Sequence, residues 1–443
     1  MTLPSSIPVR PVAGKPSPEA VALMDKRWRW RYLMLAPHRL GFFLAMVVLV
    51  ASGGWWALVQ LARSTGWDGV YYALSPTTVH AAVMVMGFIP LFFAGFLFTA
   101  GPKWLGVEPL PPRNLLAPLA AQAAGWLLWL VGAHWRIGAA LAGLALAGAG
   151  LAWMTALFAG RLRISRVEDQ LHARVIAAAC LVGCLCLAGL WLSLAVGTQA
   201  LARAFVYTGL WGFVVVVYVT VAHRMIPFFT SSALPLVQVW RPSWVLWFML
   251  AAALMQAAAT WIEWANVPLQ GWGPPWTLML GTLQLLVGGV LVWLAGVWGL
   301  VQSLKNRLLA MLHIGFLWLG LSFLLAGSSH WLAWRYGMPV LGLAPLHALT
   351  MGCLASLMLA MVTRVSCGHS GRALVADRIA WGLFWMLQMA VALRIAAELP
   401  GLFGVAWAWV LPAAACLWAV TMGLWGARLG CWYGCLRADG RSG

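Results

Sequence analysis

Apolar residues run along this chain in long blocks separated by short polar stretches, and those blocks organise it before any motif does. A helix crossing about 30 Å of hydrocarbon needs roughly 20 apolar residues. Twelve blocks reach that length, at about 40–62, 78–100, 115–132, 137–158, 175–198, 200–222, 243–262, 275–302, 308–327, 343–363, 379–397 and 402–426. Open strand edges have no hydrogen-bond partner in lipid, so the pattern predicts an all-α polytopic membrane protein, a bundle of about twelve helices. Residues 1–39 and 427–443 read as tails on either side of one transmembrane domain, 40–426. The first 30 residues are polar, basic and proline-containing, with no apolar core segment of a signal peptide, which predicts a cytoplasmic tail.

Charge supplies the orientation. With the amino terminus placed in the cytoplasm, all but five of the 28 lysines and arginines fall on the cytoplasmic side. Arg63, Arg136, Arg203 and Arg335 sit in outer loops, and Arg394 lies near the outer end of the eleventh span. One helix missed early in the chain would invert every later loop, so this bias supports twelve spans with both termini inside. The net charge of +18 is thus spread over short loops rather than gathered on one face, which argues against a nucleic-acid partner and for the lipid bilayer.

Composition agrees: 63% of the 443 residues are hydrophobic and 9% charged, far from the balance of a soluble domain. All eight cysteines fall in spans or on the cytoplasmic side, so no disulfide framework is expected. Cys431 and Cys435 form a C-x-x-x-C pair in the carboxy-terminal tail, which reads as mobile and a weak metal motif. The 31 tryptophans, among them Trp55, Trp56, Trp261, Trp264, Trp331 and Trp334, cluster at span ends, where the interfacial aromatic belt accounts for them.

Ionisable groups at membrane depth are where function is sought, because lipid tolerates them only when they face an interior or a cofactor. His80 opens the second span and His347 the tenth, while His330 closes the ninth, all toward the outer face. His313 and His369 lie toward the inner face. His80 and His347 each lead the pattern H-A-x-x-M, in "SPTTVHAAVMVMGF" and "APLHALTMGC", which puts His80 with Met84 and His347 with Met351 on one helical face. Two such helices could grip a haem iron from both sides, as b-type cytochromes do, or one could hold haem while other imidazoles and thioethers hold copper. His330 is the local substitute for either ligand, and Arg394 is a candidate partner for a haem propionate. The bland reading makes each histidine an interfacial or hydrogen-bonded packing residue and lets Arg394 snorkel to the interface.

The stretch "HALTMGCLASLMLAMVTRVSCGHSGRAL", from His347 to Leu374, resembles the signature of the NnrS family. Three further segments resemble that family in the same order: His80 to Gly106, "HRMIPFFTSSAL" from His223 to Leu234, and "LHIGFLWLGLSFLLAG" from Leu312 to Gly327. The resemblance implies a multi-pass protein of the bacterial cytoplasmic (inner) membrane that binds haem and copper. It also implies a part in the response to nitric oxide and nitrosative stress, often beside denitrification. Nitric oxide is the small-molecule ligand so implied; no electron donor is named and no reaction is fixed, which leaves enzymatic activity open. On matching positions the resemblance carries over His80, His313, His347 and His369 as metal-related residues, supported by Arg364 and Arg372. One departure stands out: where family sequences read His-Ala-His-Glu-Met, this chain has His80, Ala81, Ala82, Val83 and Met84, which removes a histidine and a glutamate and puts copper retention in question.

The inner motif admits two readings: a tight basic loop of Arg364, His369 and Arg372 with Gly368 and Gly371 that closes the bundle or anchors the tenth helix to anionic lipid headgroups, or copper held by Cys367, His369 and His313. Two other function classes are weaker. A transporter calls for ionisable groups at the midplane, and Glu263 and Glu398 lie toward the outer ends instead. A haem-copper oxidase or reductase calls for a six-histidine cluster and proton-conducting carboxylates, which the chain lacks.

Overall fold

The computed structural model describes residues 27–67, 69–234, 238–265, 273–337, 340–399 and 408–440. Among these residues, twelve helices are long and apolar enough to span a membrane: α1 (Pro37–Thr65), α2 (Pro76–Leu105), α3 (Arg113–Gly132), α4 (Ile137–Ile164), α5 (Leu171–Ala195), α6 (Gln199–Ala233), α7 (Ser243–Trp264), α8 (Gly273–Val297), α9 (Arg307–Tyr336), α10 (Ala344–His369), α11 (Arg378–Ala396) and α12 (Val410–Tyr433). Among the described residues there is no strand. Each helix overlaps one apolar block, so the protein is a multi-pass membrane bundle, while most of the amino-terminal tail and the start expected for the twelfth span, near 402, lie outside the described residues.

Several helices outrun their apolar blocks. The sixth continues through His223 and Pro227 to Ala233, and the tenth carries Arg364, Cys367 and Gly368 as helical residues, with the turn beginning only at Ser370. The tight loop expected around Gly368 is therefore confined to the residues after His369, where Gly371 takes a φ of +72°. The carboxy-terminal tail is not loose either. Arg39 Nη1 donates to the carbonyls of Tyr433 (3.2 Å) and Cys435 (2.6 Å), Ala438 N–H to Ser370 O (2.8 Å), and Arg437 Nη1 to His369 O (3.1 Å). Buried carbonyls at a helix end need donors, and this tail supplies and receives them.

Burial within the bundle is uneven. In their most apolar windows α2, α6 and α10 are 72–78% enclosed and α9 67%, against 39–56% for the other spans, so these four form the interior. The α3–α4 pair packs backbone to backbone: a Cβ on Gly125 would sit 2.5 Å from Ala147 N, and one on Gly143 2.6 Å from Gly125 O. Only glycine permits that approach, the small-residue contact by which membrane helices associate without a hydrophobic driving force. Both α6 and α10 widen into π-helical turns, at Gly209–Val215 and Ala348–Ala355. A π turn inside an α-helix breaks the regular hydrogen-bond ladder and often marks a functional segment.

Helix α11 starts on a cap. Asp377 Oδ1 accepts from Ala380 N–H at 2.9 Å, and its other oxygen pairs with Arg428 of α12. Partial burial alone would raise the Asp377 carboxyl, but the Ala380 amide and Arg428 outweigh it and hold the group below its ordinary value. A carboxyl lowered in the folded state stabilises fully above its unfolded pKa, about 3.9, and loses that contribution as pH falls through the folded value. Thermal melts in detergent between pH 6 and pH 3 are expected to show Asp377→Asn losing part of the wild-type acid sensitivity. At neutral pH Asp377→Ala costs about 1 kcal/mol through the lost cap. Gly125→Val should destabilise by about 1–3 kcal/mol, read by chemical unfolding in micelles, because the α3–α4 backbones must part.

Candidate functional site

Opposite the end of the bundle from which α1 starts, α1, α2, α6, α10, α11 and α12 enclose a cavity of about 540 Å³. That volume falls in the range of cofactor and ligand sites, roughly 300–1,000 Å³. His80, His347 and Arg394 all line it, and Met84 and Met351 line it with them. Most of the remaining wall is apolar, from Val85, Phe88, Ile89, Leu354, Met358 and Trp418.

Each imidazole is oriented by a specific neighbour. The His80 ring stacks on Trp56 of α1, with centroids 3.9 Å apart and planes 18° from parallel, and Arg63 covers the same indole at 5.6 Å. Its Nδ1 is buried with no hydrogen-bond partner among the described residues. His347 Nδ1 lies 3.0 Å from Leu343 O. A carbonyl only accepts, so the proton sits on Nδ1 and the Nε2 lone pair remains available, the arrangement by which metal-bound histidines are aimed. Proline at the second position of α10, Pro345, starts the helix where its own missing N–H costs nothing.

Arg394 is 8% exposed and pairs at 2.7 Å with Glu398, in the turn that follows α11. Glu398 also presses on Gly342, whose φ is +43°, in the turn that leads into α10; a side chain there would collide with the carboxylate. The ion pair therefore seats the His347 helix as well as contributing to the cavity wall. Behind it, Trp318 Nε1 donates to Gln388 Oε1 and Gln388 Nε2 to Ser356 Oγ, both at 2.8 Å, tying α9, α11 and the end of the α10 π turn.

The other histidines are elsewhere. His330 lines a neighbouring cavity of about 410 Å³ with Glu263, Gln256 and Gln284; its Nε2 is 3.9 Å from Glu263, and Ala200, Arg203, Tyr207, Leu343 and Leu346 border both cavities. It shares the end of the bundle with His80 and His347 but not their cavity. Fully buried His313 contacts Thr230 Oγ1 through Nε2 at 2.9 Å. His369 lies against His38 of α1, ring centroids 4.4 Å apart. Arg364 and Arg372 cover the rings of Phe229 and Trp432 at 4.0 and 4.2 Å. Among the described residues no three His, Cys, Asp or Glu side chains gather to hold a metal ion, so His313, His369 and Cys367 do not converge, nor do Cys431 and Cys435 find a third ligand.

Two features were not legible in the sequence. Trp56, explained there by the interfacial belt, is the stacking partner of His80, and Trp55 Nε1 lies 2.6 Å from His134 Nε2. His172 and His223, on α5 and α6, approach to 3.1 Å, with His223 Nε2 donating to Pro242 O at 3.2 Å. Only tertiary contact joins these residues, and their spacing gives no local signal.

The NnrS protein family profile matches residues 32–436, nearly the whole chain. The chain belongs to the NnrS family. No curated protein matches it. The match takes in all twelve helices and every residue of the cavity, and the stretch from His347 to Leu374 that resembles the family runs from the start of α10 past the helix end at His369. Ala82 and Val83, the positions at which the sequence departs from the expected histidine and glutamate, are fully enclosed in the apolar core of the bundle.

Arg394→Met with Glu398 intact is expected to lower stability by about 3 kcal/mol in detergent unfolding, because it strands a carboxylate beside the Gly342 turn. Adding Glu398→Gln is expected to restore most of the loss.

Proposed function

We propose that this NnrS-family protein binds haem in the cavity between α2, α6 and α10 and serves the bacterial response to nitric oxide in the inner membrane. The observation that carries the reading is the convergence of His80, His347 and Arg394, from three helices far apart in sequence, on one apolar cavity of about 540 Å³. The residues fit the group. A partnerless buried Nδ1 on His80 and a carbonyl-anchored Nδ1 on His347 leave imidazole nitrogens for an iron. The apolar wall suits a macrocycle, and Arg394 and Arg203 offer guanidiniums to its carboxylates.

When bound, haem iron supplies a site at which a small diatomic ligand is held or reduced. The chain's own residues do the rest. Trp56 fixes the plane of His80, Leu343 fixes the tautomer of His347, and the Arg394–Glu398 pair keeps the start of α10 in place. Nitric oxide, small and apolar, reaches the cavity through lipid without a polar pore. Apolar Ala82 and Val83, at the positions where the resemblance leads one to expect a histidine and a glutamate, favour a member working through haem without a copper centre.

Optical spectra of the purified protein, oxidised and reduced, are expected to show a Soret band that His80→Ala and His347→Ala each remove or shift, and that nitric oxide shifts in the reduced wild type. His313→Ala, His330→Ala and His369→Ala should leave it in place. A wild type without haem, or a spectrum indifferent to both cavity variants, overturns the reading. Metal analysis of the same samples should return iron without stoichiometric copper.

A further inference from the structure

Another cavity, with charged groups in its wall, lies at the opposite end of the bundle. It occupies about 310 Å³ between the end of α10, the start of α11 and the end of α12. Its charged lining is Arg372, Arg428 and Asp377, with the thiol of Cys367 and the hydroxyl of Thr363 as further polar groups. Both guanidiniums stand on one indole: Arg372 at 4.2 Å and Arg428 at 5.2 Å from the Trp432 ring. Asp377 engages Arg428 Nη2, and Thr363 accepts from Trp425 Nε1 at 3.1 Å. That leaves Arg372 Nη1 and Arg428 Nη1 buried with no hydrogen-bond partner among the described residues.

Two like charges gathered on one ring repel, and one carboxylate offsets one of them. Buried guanidinium N–H groups without acceptors are costly, and an oxyanion with several acceptor oxygens satisfies two such forks together. The surroundings indicate what carries that oxyanion. Val375, which lines the cavity, is 62% exposed, and Leu374 and Ile379, next in sequence to the lining residues Ala373 and Ala380, are 50% and 60% exposed, while Leu383 and Leu429 continue the apolar lining. The cavity also lies at the end of the bundle that the basic-loop bias places in the cytoplasm, where anionic lipids concentrate.

We propose that this cavity is a binding site for the phosphate of an anionic phospholipid, gripped by Arg372 and Arg428 with its acyl chains over Leu374, Val375 and Ile379. Such a lipid links the end of the signature helix α10 to α11 and α12, so that bilayer composition bears on the stability of the three helices that also form part of the wall of the far cavity.

The test uses the full-length protein in a mild detergent, with bound lipid read by native mass spectrometry and melting temperature read on addition of lipid. Wild type is expected to retain phosphatidylglycerol in preference to phosphatidylcholine and to melt higher with the former alone. Arg372→Gln and Arg428→Gln should each weaken phosphatidylglycerol retention by about fivefold, with Arg372→Lys intermediate. Equal retention of the two lipids by wild type, which requires no variant to fold, overturns the proposal, as does undiminished retention in both glutamine variants. If inorganic phosphate alone raises the melting temperature and phosphatidylglycerol adds nothing, the lipid assignment falls and the site belongs to a soluble oxyanion.

Discussion

The structure depends on one constraint: inside a bilayer, polar groups must find their partners within the protein. The chain meets it by turning ionisable side chains inward from α2, α9, α10 and α11, while many tryptophans, leucines and valines, such as Trp153, Leu185 and Val131, face outward. Inward polar groups that all pair with each other make a packed core. Here some do not, among them His80 Nδ1 in the cavity it shares with His347, and Arg372 Nη1 and Arg428 Nη1 at the other end of the bundle.

Holding that cavity open takes rigidity around it. The Arg394–Glu398 pair, the Gly342 turn and the Trp318–Gln388–Ser356 chain fix the upper part of α10 from two sides. The π turns at Gly209–Val215 and Ala348–Ala355 fall on the two helices that wall the cavity beside α2, where Leu210, Thr350, Met351 and Leu354 face it. At the other end, Arg39 and Arg437 bind the carboxy-terminal segment down by its carbonyls and by those of α10. The molecule thus has a stapled end that keeps the Arg372–Arg428 cavity and an end with two adjoining cavities, one around two imidazoles and one around His330 and Glu263.

Much of this was legible in the sequence, because membrane-spanning length and apolar composition constrain a helix more strongly than any soluble pattern does. All twelve spans follow from it, as does the shared face of His80 with Met84 and His347 with Met351. Helix ends were less legible: α6 and α12 continue as helix beyond their apolar blocks, to Ala233 and Tyr433, because tertiary hydrogen bonds sustain turns that hydropathy does not mark. Depth along a span was readable, but azimuth was not. His330 matches His80 in depth and yet opens into the neighbouring cavity, and Trp56 passes for an interfacial residue until its ring is seen on His80.

The measurement that bears most directly on the central claim is a cryo-electron microscopy map of the protein purified with whatever it binds in its own membrane. Planar macrocycle density is expected inside the cavity walled by α2, α6 and α10, in contact with His80 and His347. A macrocycle elsewhere in the bundle, or lipid acyl chains filling that cavity, would contradict it.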